Sequence, residues 1–174
     1  MTVSSPLTET QRKRMNIDLD VQYAVNEDDG EPPSPGLIRN WVEAALQGRR
    51  DEAELTVRIV APDEIRRLNR DYRHQDKPTN VLSFPFDPPD GIDLPLLGDV
   101  VICAAVVARE AHEQGKSEQA HWAHMVVHGV LHLLGHDHIE EGEAELMEAR
   151  ELEILQGLGI ANPYADTEPQ QAAD

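Results

Sequence analysis

Four histidines, His121, His124, His128 and His132, recur every three or four residues, a spacing that a β-strand would scatter over both of its faces. At about 100° per residue an α-helix gathers them into one stripe. Val126, Val127, Val130, Leu131, Leu133 and Leu134 fill the other sides of the same helix. A helix apolar on so much of its surface must be buried, with the histidines forming a polar seam. Ser117 is placed to cap it, and it should run to about Leu134. For His121 and His124 alone, a polar helix face that happens to use histidine is as good an account as a functional one.

His128 and His132 carry more. An i, i+4 pair sets two imidazoles on one side of a helix, where one ion can reach both at about 2.0–2.1 Å. Gly135 should end the helix and turn His138 back toward the pair. Three neutral imidazoles, His128, His132 and His138, leave a fourth tetrahedral position open, the pattern of a catalytic zinc site. Imidazole also suits nickel, copper and iron, so the ligands favour zinc without excluding a different ion. Asp137 is placed equally well to orient a ligand or to make the turn. Gly129 follows His128 where zinc peptidases of the H-E-x-x-H type carry their glutamate base, which disfavours peptide hydrolysis. Glycine in a helix interior costs about 1 kcal/mol relative to alanine, so close approach of a backbone or a substrate is expected there.

Around that helix, the pattern predicts an α+β fold: a small four-stranded mixed sheet packed with about five helices, the zinc site at the end of a long helix. Ile17, Leu19, Val21 and Tyr23 alternate with polar residues as in a half-buried strand, and so do Leu55, Val57 and Ile59. Residues 80–84 and 100–103 read as two further strands, the first stopping at Pro85. Ser34-Pro35 opens a helix with Leu37, Ile38, Trp41, Val42, Ala45 and Leu46 inward, and Gly48 ends it. Pro62 opens another with Ile65, Leu68 and Tyr72 inward. A helix after residue 103 reaches about Gln114. A last one, about 140–157, places Met147, Ile154, Leu155 and Leu158 on one side. Residues 1–15 and 165–174 read as flexible tails around a single domain, 16–164.

The formal charge of −18 argues against a broad phosphate-binding surface. It is unevenly spread. Twelve of the fifteen basic residues precede residue 78, among fifteen acids, while the remainder holds three basic and eighteen acidic residues. A nucleic-acid surface must therefore be local and come from the first half, where Arg58, Arg66, Arg67, Arg70, Arg73 and Lys77 cluster. Asp63, Glu64, Asp71 and Asp76 lie among them, so a mixed solvated face accounts for most. Cys103, the single cysteine, sits in an apolar run and reads as a buried hydrophobe; with no disulfide partner it suits a reducing, cytoplasmic setting. Nothing resembles an export signal or a membrane anchor.

The run His128-Gly129-Val130-Leu131-His132-Leu133-Leu134-Gly135-His136-Asp137-His138 resembles the signature of the YbeY family of rRNA maturation factors. Tyr72-Arg73, Asp76 to Pro85 and Leu97-Gly98-Asp99-Val100 are similar to further blocks of that family, and the likeness spans about residues 17–164. His136 stands where the signature most often has tyrosine. The basic Arg12-Lys13-Arg14 lies outside the likeness. The resemblance implies a zinc-dependent, single-strand-specific endoribonuclease acting in 16S rRNA 3′-end maturation and ribosome quality control, with RNA and ribosomal partners. It places one Zn2+ on His128, His132 and His138 and a functional role on Arg73, making His128 and Arg73 the expected catalytic residues. Two other readings compete: a zinc peptidase with an unrecognised base, and a ribosome-assembly binding module whose metal is mainly structural.

Overall fold

The structure, a computed structural model, describes residues 15–92, 94–135 and 141–160, the side chains of 141–144 excepted. Four strands, β1 (Asn16–Ala24), β2 (Glu52–Val60), β3 (Val81–Pro85) and β4 (Leu96–Cys103), form one mixed sheet in the order β1-β2-β4-β3. β1 and β4 both run parallel to β2, and β3 pairs antiparallel to β4 at the edge. The two inner strands read accordingly. Val100 and Ile102 of β4 point to one face and Val101 and Cys103 to the other, all buried. A continuous apolar run of this kind belongs to a strand covered on both sides. Burial raises the Cys103 thiol pKa, in keeping with an inert core residue.

Five helices cover the sheet: α1 (Pro35–Leu46), α2 (Pro62–Arg73), α3 (Ala104–Gln114), α4 (Glu118–Leu133) and α5 (Glu141–Gly157). Ser34 and Ser117 cap α1 and α4, their hydroxyl oxygens accepting from the amides of Leu37 at 3.3 Å and Ala120 at 3.0 Å. Residues of α1, α4 and α5 pack with Val57, Ile59, Val100 and Ile102 in the main core. Ile65 of α2 and Val106 of α3 pack with Val60, Leu82, Val101 and Cys103 on the opposite face. Arg58 of β2 ties α2 to that face through a bidentate pair with Glu64, at 2.6 and 2.9 Å.

Four expectations change. Tyr72 is not inward but 66% exposed: α2 packs on the sheet through Ile65 and Leu68, and the Tyr72 ring stands edge-on to Phe84 of edge strand β3. Tyr23, at the end of edge strand β1, is also exposed, and its hydroxyl donates to the Pro33 carbonyl at 2.7 Å. β4 begins four residues earlier than the apolar run, at Leu96, since pairing with β3 extends along it to Gly98. That glycine has φ +131°, and a Cβ there would lie 2.2 Å from the Phe84 carbonyl oxygen. Only glycine permits the close approach. The strand at 80–84 is observed one residue later and includes Pro85, which an edge strand tolerates. Residues 1–14 and 165–174, read as tails, lie outside the described residues.

Candidate metal centre

Helix α4, which carries the histidine stripe, is held by a contact that explains its oddest residue. Gly129 faces the sheet: a Cβ there would meet Val100 Cγ1 at 2.5 Å and Cγ2 at 3.2 Å. Its carbonyl accepts a hydrogen bond from Ser83 Oγ of β3 at 3.0 Å. Helix α4 thus lies directly on β4 and β3, and its rotation turns the histidine stripe toward α5. The close approach expected at Gly129 is made neither by a backbone nor by a substrate but by the Val100 side chain, and that packing offsets the helix-propensity cost of glycine.

On the other side, His128 Nε2 and His132 Nε2 face each other at 3.0 Å. Two ligands of one tetrahedral ion at about 2.0–2.1 Å would be separated by roughly 3.3 Å. The pair is therefore set at the spacing a shared ion requires. His128 Nδ1 donates to Glu151 Oε2 at 2.5 Å, which leaves the Nε2 lone pair directed toward His132. His124 Nε2 donates to the other carboxylate oxygen, Oε1, at 2.9 Å. Burial depresses the His124 pKa against the opposing pull of Glu151, so the ring stays neutral at ordinary pH.

Glu151 was not foreseen, although its position shows why it is there. Met147, Ile154 and Leu155 are buried on one side of α5, and Glu151 is i+4 from Met147, squarely within that stripe. Its side chain is 1% exposed. A carboxylate at a core position must be paired or hydrogen-bonded, and the two histidines one helix away are its partners. An acid inside an apolar stripe was the available signal.

His121 lies deeper along α4, buried, with Nε2 donating to Glu110 Oε1 of α3 at 2.9 Å. Asn80, just before β3, donates to the same oxygen at 3.1 Å. The His121 bond, first, and Asn80 hold the Glu110 carboxyl below the usual carboxylate range, against desolvation. A carboxyl depressed in the folded state contributes stability above its unfolded pKa, and that contribution is lost as pH falls through the folded value. We expect the thermal midpoint of Glu110→Gln to fall less steeply than wild type between about pH 5 and pH 3. Parallel curves from calorimetry would remove Glu110 from the acid response.

Of the residues singled out in the sequence, the structure brings His128 and His132 together, and beside them it places His124, whose role the sequence left open, and Glu151, which is new. These last two form with His128 a group that could itself hold a metal ion. His136, Asp137 and His138 lie outside the described residues. Arg73 ends α2, on the opposite face of the sheet from α4, exposed and without a carboxylate partner among the described residues. The sequence model of the family described as endoribonuclease YbeY matches residues 25–159. The chain belongs to the YbeY family. Two curated YbeY endoribonucleases from Pseudomonas putida strains are each 56% identical to it over 153 residues, covering 87% of this chain and 96% of theirs. A solution structure of a Thermotoga maritima protein matches with a TM-score of 0.54 at 23% identity, over 88% of this chain and 95% of that one, and shares the fold. Among the described residues of this YbeY-family chain, no helix is long and apolar enough to cross a membrane.

The Glu151 arrangement leads to a direct test. Glu151→Gln retains an acceptor for His128 but removes the charge and presents a donor to His124. Loss of such an outer partner typically weakens metal binding about 10–100-fold, and that is the loss expected by competition with a chromophoric chelator. Abolished binding would instead make Glu151 a ligand; unchanged affinity would leave it a structural acid.

Proposed function

We propose that this protein is a zinc-dependent, single-strand-specific endoribonuclease acting in the cytoplasm on ribosomal RNA, in 16S 3′-end maturation and ribosome quality control. The observation that carries the metal assignment is the facing pair of Nε2 atoms at 3.0 Å with His128 oriented by Glu151. The ion would be held by His128, His132 and His138. Glu151 would lie outside the ligand set, since both of its oxygens already accept from imidazoles. The names of the Pseudomonas putida relatives support the nuclease reading.

A bound zinc ion would supply Lewis acidity toward the phosphodiester. The chain's own part is to fix the ligands on a rigid helix and to bring a phosphate to them. Arg73, on the opposite face of the sheet, would hold the backbone of the RNA strand leading to them, its planar fork pairing with two phosphate oxygens. The peptidase reading loses ground at Gly129, because the Cβ of any residue there points into Val100. Acidic residues of the C-terminal half suit basic ribosomal proteins as partners.

The test is cleavage of a labelled single-stranded RNA by the purified protein, with zinc removed and restored. Cleavage should require the metal. Arg73→Ala should retain the thermal midpoint and zinc content while losing about 10- to 100-fold in cleavage, the scale of one lost charged hydrogen bond. Undiminished cleavage by that variant would end its assigned role.

A further inference from the structure

Tyr72 and its neighbours make a surface that the metal centre does not account for. Its ring is 66% exposed, the most exposed of the large hydrophobic side chains among the described residues. It is not loose. The ring stands edge-on to Phe84 of β3, with centroids 5.1 Å apart and planes at 69°. The turn beyond it is pinned from behind: Arg66 pairs bidentately with Asp76, and Asn69 Nδ2 donates to the Lys77 carbonyl at 2.8 Å.

Those contacts take up Arg66 and Asp76, and Arg70 pairs with its neighbour Asp71. Arg73 and Lys77, both exposed, have no carboxylate partner among the described residues. From residue 58 to 77 the chain carries six basic side chains against four acidic ones, within a protein of net charge −18. A positive patch with a fixed aromatic face, on an otherwise acidic chain, fits an unpaired nucleobase and its flanking phosphates. Neither an acidic chain in general nor a mixed solvated helix face requires the aromatic ring.

Edge strand β3 joins this patch to the metal centre. Phe84 supports Tyr72 on one face of the strand, while Ser83 on the other bonds to Gly129, next to His128. We propose that Tyr72 is a stacking platform for one unpaired base of an RNA strand, with Arg73 and Lys77 on the phosphates beside it. The assignment rests on the endoribonuclease reading for its substrate class. Stacking would favour single strands, because a paired base keeps its faces inside the duplex.

The experiment measures the affinity of the full-length protein for a fluorescent, cleavage-resistant 2′-O-methyl phosphorothioate oligonucleotide, and for the same backbone without bases. Wild type should prefer the base-bearing strand. Tyr72→Ala and Tyr72→Leu should weaken that strand roughly 5- to 100-fold, as expected for one stacked base, and leave the abasic strand unchanged. Tyr72→Phe should bind as wild type does. Leucine keeps an apolar contact with Phe84 but has no π face, so it separates stacking from support of the strand. Equal losses on both strands, no loss on either, or no binding by wild type would overturn the proposal. Cleavage of unmodified RNA by wild type is scored separately. Cleavage without any Tyr72 effect rejects the platform alone, and a Tyr72 effect without cleavage rejects the nuclease alone.

Discussion

His132→Ala is expected to lose zinc and RNA cleavage together, with little change in the fold of the metal-free chain. One of two facing imidazoles disappears, and the remaining His128 Nε2 cannot hold an ion with the same affinity. The loss should be well beyond the roughly 10–100-fold that an outer hydrogen-bond partner contributes. Folding should hardly suffer, since His132 is only partly buried and alanine is the better helix former by about 0.5 kcal/mol. Zinc content by elemental analysis, cleavage of single-stranded RNA, and the midpoint of the metal-free protein give three independent readings. A variant that retains one zinc per chain at native affinity would strike His132 from the ligand list.

Gly129→Glu restores the H-E-x-x-H spacing on paper, and we expect it to destabilise the protein severely instead of making a peptidase. The added Cβ would sit 2.5 Å from Val100 Cγ1, and Val100 is fully buried in an inner strand. A buried β-branched side chain is stiff at χ1 and yields little, so helix and strand must shift apart. Overpacking of this kind costs about 1–3 kcal/mol. That outweighs the gain of about 1 kcal/mol from leaving glycine. Forcing a carboxylate toward the core adds several kcal/mol more. Against a typical stability of about 5–15 kcal/mol this is a large fraction. Gly129→Ala isolates the steric part and should lower the urea midpoint less. A Gly129→Glu protein with a native urea midpoint would show that α4 can move, and peptide cleavage by it would revive the peptidase reading.

Local patterning accounts for much of what the sequence reveals. The α+β layout, the cap at Ser117, the inward face of α1 and the burial of Cys103 follow from periodicity and single-residue chemistry, which act within a few residues of chain. So does the meeting of His128 and His132, because helical geometry alone puts i and i+4 on one side. Tyr72 shows where that logic stops. Its spacing matches the inward face of α2, yet the ring stands edge-on to Phe84 of edge strand β3 and stays 66% exposed, and no periodicity records which strand lies at the edge.

The centre divides the same way. The sequence by itself determined a paired histidine site on a buried helix and a glycine where a peptidase would have its base. The tertiary structure decided that Val100 is what excludes a side chain at Gly129. It also decided that Glu151, 23 residues from His128, is the acceptor that sets its tautomer. Hydrogen bonds between separate helices depend on how those helices dock, and docking is settled by the whole core at once, not by spacing along one element.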